Sequence, residues 1–152
     1  MKFRRVLVVM GLTALALLLA VPAVWAFEGR EGETVVIGAD EVIDDDLFAA
    51  ANEIVVEGTV NGNVFAVGQT VRVNGTVAGD LFASAQEVVI DGSVEDAYVA
   101  AFAIATGGTI EEDLLGVGYS LEHAPEASIG RDLLFAGFQA LLRSGADERD
   151  PV

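Results

Sequence analysis

Carboxylates are the residues of this chain with the most capacity for chemistry. There are 24 Asp and Glu among 152 residues, against eight Lys and Arg, one His and no Cys, for a formal net charge of -16. The densest group is Asp40, Glu41, Asp44, Asp45 and Asp46, and a second set recurs along the chain as Asp46, Asn63, Asp80, Ala97, Asp113 and Asp132. Calcium takes several oxygen ligands at once, so Asp40, Asp44, Asp45, Asp46 and Asp80 are candidate calcium ligands. The competing reading is corner chemistry, in which short Asp and Asn side chains bond local backbone at turns. The nonapeptide of calcium-binding β-rolls is absent and Ala97 interrupts the recurrence, which favours corners and no cofactor. His123 has no Cys or Ser nucleophile beside it by motif and no companion ligand, so it reads as a loop or core histidine. No catalytic residue is predicted, and the chain is expected not to be an enzyme.

The acidic balance excludes nucleic acid as a partner, because that affinity depends on Lys and Arg neutralising phosphates. It suits a divalent cation, a basic partner, or simply a self-repelling soluble surface. Three of the eight basic residues sit at the very start, Lys2, Arg4 and Arg5, ahead of the apolar run VLVVMGLTALALLLA and the small-residue end PAVWA. That is the pattern of a secretory signal helix over residues 1–26, with cleavage expected before Phe27. The apolar run is about 15 residues, short of the roughly 20 that span a bilayer. The expected destination is therefore secreted or extracytoplasmic, at the cell envelope; the alternative is an uncleaved helix that anchors the chain to the membrane. Cleavage would leave five basic and 24 acidic residues, a charge of -19. With no cysteine, no disulfide can brace the fold in an oxidising compartment, so stability must come from packing.

The elements that position these groups are repeats. TVNGNVFAVGQTVRVNG, residues 59–75, is followed at once by TVAGDLFASAQEVVIDG, residues 76–92. A 17-residue unit cannot close a core alone and must bury its apolar side against its neighbours, which is the logic of a solenoid. A weaker copy precedes this pair from Val42 to Gly58. Three follow it: one a residue short from Ser93, one with about two extra residues around Pro125, and one beginning at Ser128. Within each unit, short β-branched runs alternate with polar residues at period two and are punctuated by Gly and Asn, as in strands joined by tight corners. Corner glycines are expected to supply positive φ. Hexapeptide coiling fails, since counting by sixes from Val60 reaches Ala66 and then Arg72.

The expected fold is all-β: a right-handed parallel β-helix of about six rungs of about 17 residues. Residues 27–41 form an entry or cap segment, 42–145 the repeat domain and 146–152 a polar tail. Three inward columns are predicted. They are Leu47, Val64, Leu81, Tyr98, Leu114, Leu133; Ile43, Val60, Val77, Val94, Ile110, Ile129; and Ile54, Val71, Val88, Ile104, Leu121, Ala140. One outward column is apolar: Phe48, Phe65, Phe82, Val99, Leu115 and Leu134. A strip of that kind is seldom left wet. It predicts self-association or contact with a membrane or envelope surface, unless the column packs under a terminal segment such as Thr34–Ile37. Asn52, Gln69 and Gln86 form a further column, whose amides can bond along the stack.

The corner phrase in EGTVNGNV and NGTVAGDL, followed by a β-branched strand ending in Gly, resembles the bactofilin or polymer-forming cytoskeletal family over about Val42 to Gly145. The resemblance implies a small right-handed β-helix that polymerises end to end without nucleotide and acts as a membrane-associated scaffold. The signal and the acidic charge place the resemblance with an exported variant. The functional expectation is thus an exported scaffold that self-associates as a homo-polymer, through its ends and the outward strip. A monomeric cell-envelope module that binds glycan or protein is the alternative.

Overall fold

In a computed structural model that describes residues 27–143, the chain is a parallel β-solenoid with no helix among the described residues. The segment expected to be a secretory signal, residues 1–26, and the expected polar tail, residues 146–152, lie outside the described residues. Long strands β1 (Phe27–Ile37), β3 (Asp46–Val56), β5 (Val64–Val73), β7 (Leu81–Ile90), β9 (Ala97–Thr106) and β11 (Leu114–His123) stack in sequence order. The last rung splits the same run into β13 (Leu133–Ala136) and β14 (Gln139–Leu142), both paired to β11. Two-residue strands β2 (Val42–Ile43), β4 (Thr59–Val60), β6 (Thr76–Val77), β8 (Ser93–Val94), β10 (Thr109–Ile110) and β12 (Ser128–Ile129) stack as the remaining side.

Seven rungs are stacked where six were expected. The additional one is β1, inside the segment expected to be an entry or cap: it pairs with β3 in register from Phe27↔Asp46 to Ile37↔Val56. Its Thr34–Ile37 portion lies on Glu53–Val56 at the end of the stack and does not cover the outward phenylalanines. β1 also closes that end. Glu28 and Arg30 pair with Leu47 and Ala49, so they occupy positions that point inward in the later rungs. Arg30 is ion-paired to both Glu28 and Glu41. Arg30 lowers the Glu41 carboxyl below its ordinary value, the hydrogen bond being the largest cause. A further chain stacked on this edge would have to desolvate that ion pair, a standard defence of an exposed strand edge.

The core is a set of aliphatic columns, because period-two alternation puts every second residue of a strand on the same side. Two of the three expected columns stack in the predicted register, including the drift to Ile104, Leu121 and Ala140, with Ala140 in the last described rung exposed and not inward. The first needs a correction. Leu81 pairs with Ala97, not Tyr98, and Ala97 is fully buried. The physical reason is where the unit beginning at Ser93 loses its residue. The corner Ala78-Gly79 is replaced by Glu95 alone, so everything after it arrives one place early and Asp96, Ala97 and Tyr98 stand above Asp80, Leu81 and Phe82. The two extra residues of the next unit are absorbed in a turn at Pro125, where Ala127 N–H donates to the Ala124 carbonyl at 3.1 Å.

His123 belongs to a core column. Val56, Val73, Ile90, Thr106, His123 and Leu142 stand above one another, and His123 Nδ1 lies 2.7 Å from the hydroxyl of buried Thr106. Two polar side chains in an aliphatic column satisfy each other.

The corner glycines do not work as expected. Among the described residues the only glycine at positive φ is Gly32, at 158°, which is nearly extended. What Gly75, Gly92 and Gly108 provide instead is close approach. A Cβ on each would stand 1.9–2.0 Å from the carbonyl oxygen of the glycine one rung below.

Candidate association surface

Alternation along the long strands turns two columns outward on one face. The first is Phe48, Phe65, Phe82, Tyr98, Leu115 and Leu134; the second is Ala50, Val67, Ser84, Ala100, Val117 and Ala136. The expected strip is therefore present with one substitution. Val99 is 3% exposed and points into the core, whereas Tyr98 is 36% exposed and continues the phenylalanines, a consequence of the same shortened corner. The rings form a ladder: Phe48–Phe65, Phe65–Phe82 and Phe82–Tyr98 have centroids 4.5, 4.8 and 4.9 Å apart and planes within 10°. Parallel in-register strands about 4.8 Å apart bring identical side chains to this stacking distance without adjustment.

Beside the ladder the small second column leaves a shallow trough, lined on one flank by Phe65, Phe82 and Tyr98 and floored by Val67, Ser84 and Ala100. Past the trough, at the prism corner, stands the column that begins with the amides Asn52, Gln69 and Gln86. It changes character above them: Phe102 and Tyr119 stack at 4.9 Å and Tyr119 lies 5.6 Å from Phe138. This second ring ladder escaped sequence reading, although its signal was available, since Phe102 and Tyr119 recur 17 residues apart. From β3 to β14 no residue of the three columns carries a charge; β1 continues them as Gly29, Glu31 and Glu33, so the β1 end of the wall is acidic. The described chain as a whole carries 21 Asp and Glu against four Arg.

From β3 onward the acidic side chains lie off the wall, and one column borders it. Asp46, Asn63, Asp80, Asp96, Asp113 and Asp132 run along the corner two residues before the ring ladder. Ala97 was expected here as an interruption; with the register corrected, Asp96 makes the column continuous. Each side chain accepts the main-chain N–H of the next corner: Asp46 Oδ1 from Asn63 at 2.7 Å, Asn63 Oδ1 from Asp80 at 2.9 Å, Asp96 Oδ1 from Asp113 at 2.8 Å and Asp113 Oδ1 from Asp132 at 3.0 Å. Asp80 accepts likewise from the Asp96 N–H. A corner breaks the strand ladder, and this side chain satisfies the donor that the break orphans.

Those bonds are the corner chemistry weighed above. Among the described residues no group of three or more His, Asp or Glu is placed to hold a metal ion. Of the calcium candidates, Asp44 Oδ1 accepts from Asn61 Nδ2 at 2.8 Å and Asp46 serves the corner ladder, while Asp80 stands two rungs from Asp46 with Asn63 between. Asp40 and Asp45 are exposed.

Stacked carboxylates carry a cost that is visible at Asp80. Burial first, and then the charge of Asp96, push its pKa above the ordinary aspartate value. A carboxyl whose pKa rises on folding binds its proton more tightly in the native state, so it destabilises the fold as pH climbs through the raised pKa and ceases to do so in acid. Asp80→Asn keeps the acceptor for the Asp96 N–H and removes the charge. It is expected to raise the urea midpoint at pH 7 and to change it much less at pH 3; a larger gain at pH 3 would contradict this. Tyr98 is raised too, chiefly by Asp96.

Fold and surface together define, among the described residues, a small parallel β-solenoid with an apolar wall that carries no charge from β3 to β14, on a strongly acidic body. No family model, curated protein or solved structure matches the chain.

Proposed function

We propose that the chain is an exported, non-enzymatic scaffold of the bactofilin-like kind, whose copies associate side by side through the apolar wall. The observation that carries this reading is the wall itself: three adjacent outward columns that carry no charge over the six rungs from β3 to β14 and are bounded by Glu31 and Glu33 of β1, on a body with 21 carboxylates among the described residues. Monomeric soluble proteins rarely leave so continuous an apolar patch in water. The ionic closure of the β1 end favours lateral contact over end-to-end growth at that edge. The single histidine is consumed in a core hydrogen bond and the wall offers no converging acid and base, which supports a binding role over a catalytic one.

Electron microscopy and light scattering on the chain beginning at Phe27, with and without calcium, test the proposal. Particles larger than one prism, present without calcium, are expected. Single prisms at every concentration and salt level would overturn it.

A further inference from the structure

The wall has a shape as well as a polarity, and the shape is lopsided. From β3 to β13 its first column is large, with Phe in three rungs, then Tyr, Leu and Leu, and its second is small, with Ala, Val or Ser; only in β1 does the order reverse, to Gly29 and Glu31. The acidic corner flanks the large column and the corner that begins with amides flanks the small one. From this we infer that the occupant of the trough is the ring ladder of a second copy of this chain. The two prisms lie side by side with parallel stacking axes, related by a two-fold axis that runs along the stack between the two columns. The inference rests on the self-association proposed above and specifies its geometry.

Three observations select this arrangement. First, the two-fold lays each large residue over the small residue of the same rung in the other copy, Phe65 over Val67 and Phe82 over Ser84, so ridge enters groove on both sides at once. An antiparallel pair would instead set ring column against ring column and leave both troughs empty. Second, only another stack of rungs about 4.8 Å apart repeats with the ladder's own 4.5–4.9 Å spacing, so register holds over the full length. Third, the edges match in the lower rungs. In the parallel pair Asp46, Asn63 and Asp80 of one copy face Asn52, Gln69 and Gln86 of the other, which gives carboxylates amide donors, while Asp96, Asp113 and Asp132 face the rings Phe102, Tyr119 and Phe138, not another row of charge. In the antiparallel pair the acidic corners face each other, where stacked like charges repel.

The area is adequate. Six rungs at about 4.8 Å and a width of about six residues at about 3.3 Å give a footprint of roughly 600 Å² per copy. The total of roughly 1,200 Å² is at the lower limit of specific interfaces. The pair is therefore of moderate strength, and since both bodies are acidic it tightens as salt screens them.

The chain has no cysteine, so introduced thiols report contacts without interference. Chains beginning at Phe27 and carrying Phe82→Cys, Ser84→Cys or Tyr98→Cys are purified singly, mixed in pairs and oxidised briefly. The parallel pair predicts that Phe82→Cys mixed with Ser84→Cys gives several-fold more cross-linked dimer than any other combination. Cross-linking of Phe82→Cys with itself or with Tyr98→Cys in preference, or no cross-link from a chain that sediments as a dimer, overturns the arrangement while leaving self-association in place. An uncross-linked parent chain that sediments only as a monomer overturns both.

Discussion

Gly92→Ala is expected to cost the solenoid about 3 kcal/mol or more, at the upper end of what overpacking does. The new methyl carbon would stand 1.9 Å from the Gly75 carbonyl oxygen and 2.7 Å from the Asn74 carbonyl carbon. Both are backbone atoms, so no side chain can swing aside. Gly75 is in turn held against the carbonyl of Gly58, and Gly108 against that of Gly92. Relief requires prising two rungs apart at a corner where Asp91 and Gly92 N–H groups both donate to the Val73 carbonyl at 2.8 Å. The control is Gly38→Ala, at a corner with nothing within 4 Å of the added carbon. There the substitution trims the unfolded chain's freedom and should be neutral or slightly stabilising. Urea unfolding followed by far-ultraviolet circular dichroism checks both; equal midpoints for the two variants would mean that corner contact does not limit how closely rungs pack.

That pair of glycines also marks where sequence reading reached its limit. The 17-residue repeat and its period-two alternation made the β-solenoid, its rung length and most of its core columns legible, because alternation fixes which side a residue faces. Counting by repeat length, however, cannot say where a short unit gives up its residue. Placing the loss before Ala97 rather than after Tyr98 exchanges Tyr98 for Ala97 inside and Val99 for Tyr98 outside, since a one-residue slip inverts every side chain. Composition could not arbitrate, as Val99 is as apolar as the phenylalanines above which it was placed. Asp96 was the available clue, because a continuous Asp and Asn corner needs it and not Ala97. The charged inward pair Glu28 and Arg30 hid the first rung for a related reason: residues that close a stack do not resemble residues that fill one. The glycine corners were assigned to the wrong cause, positive φ in place of close approach, because sequence shows the residue and not the neighbour one rung away.

Phe65→Asp is expected to abolish association while leaving the prism intact. Phe65 is half-buried and stacked between Phe48 and Phe82, with centroids at 4.5 and 4.8 Å. Losing it removes two ring contacts worth about 0.5–1.5 kcal/mol each, which a core of seven rungs tolerates. At the interface the same change removes a central aromatic and puts a carboxylate over the partner's Val67 position, where the one cation among the described residues that lines the trough, Arg30, is already committed to Glu28 and Glu41. Central aromatic positions are where truncation costs most, and the affinity is expected to fall on the order of a hundredfold or more. Far-ultraviolet circular dichroism that matches the parent, together with a urea midpoint only modestly lower, would separate this from unfolding.

Sedimentation velocity of the parent chain from Phe27 and of Phe65→Asp, run side by side over a concentration series at moderate and high salt, tests the role of the wall most directly. The parent should shift to faster-sedimenting species with concentration and more so at high salt, while Phe65→Asp stays at the monomer value throughout. A parent that remains monomeric, or a variant that assembles as the parent does, would contradict the assignment of the wall as the surface through which copies meet.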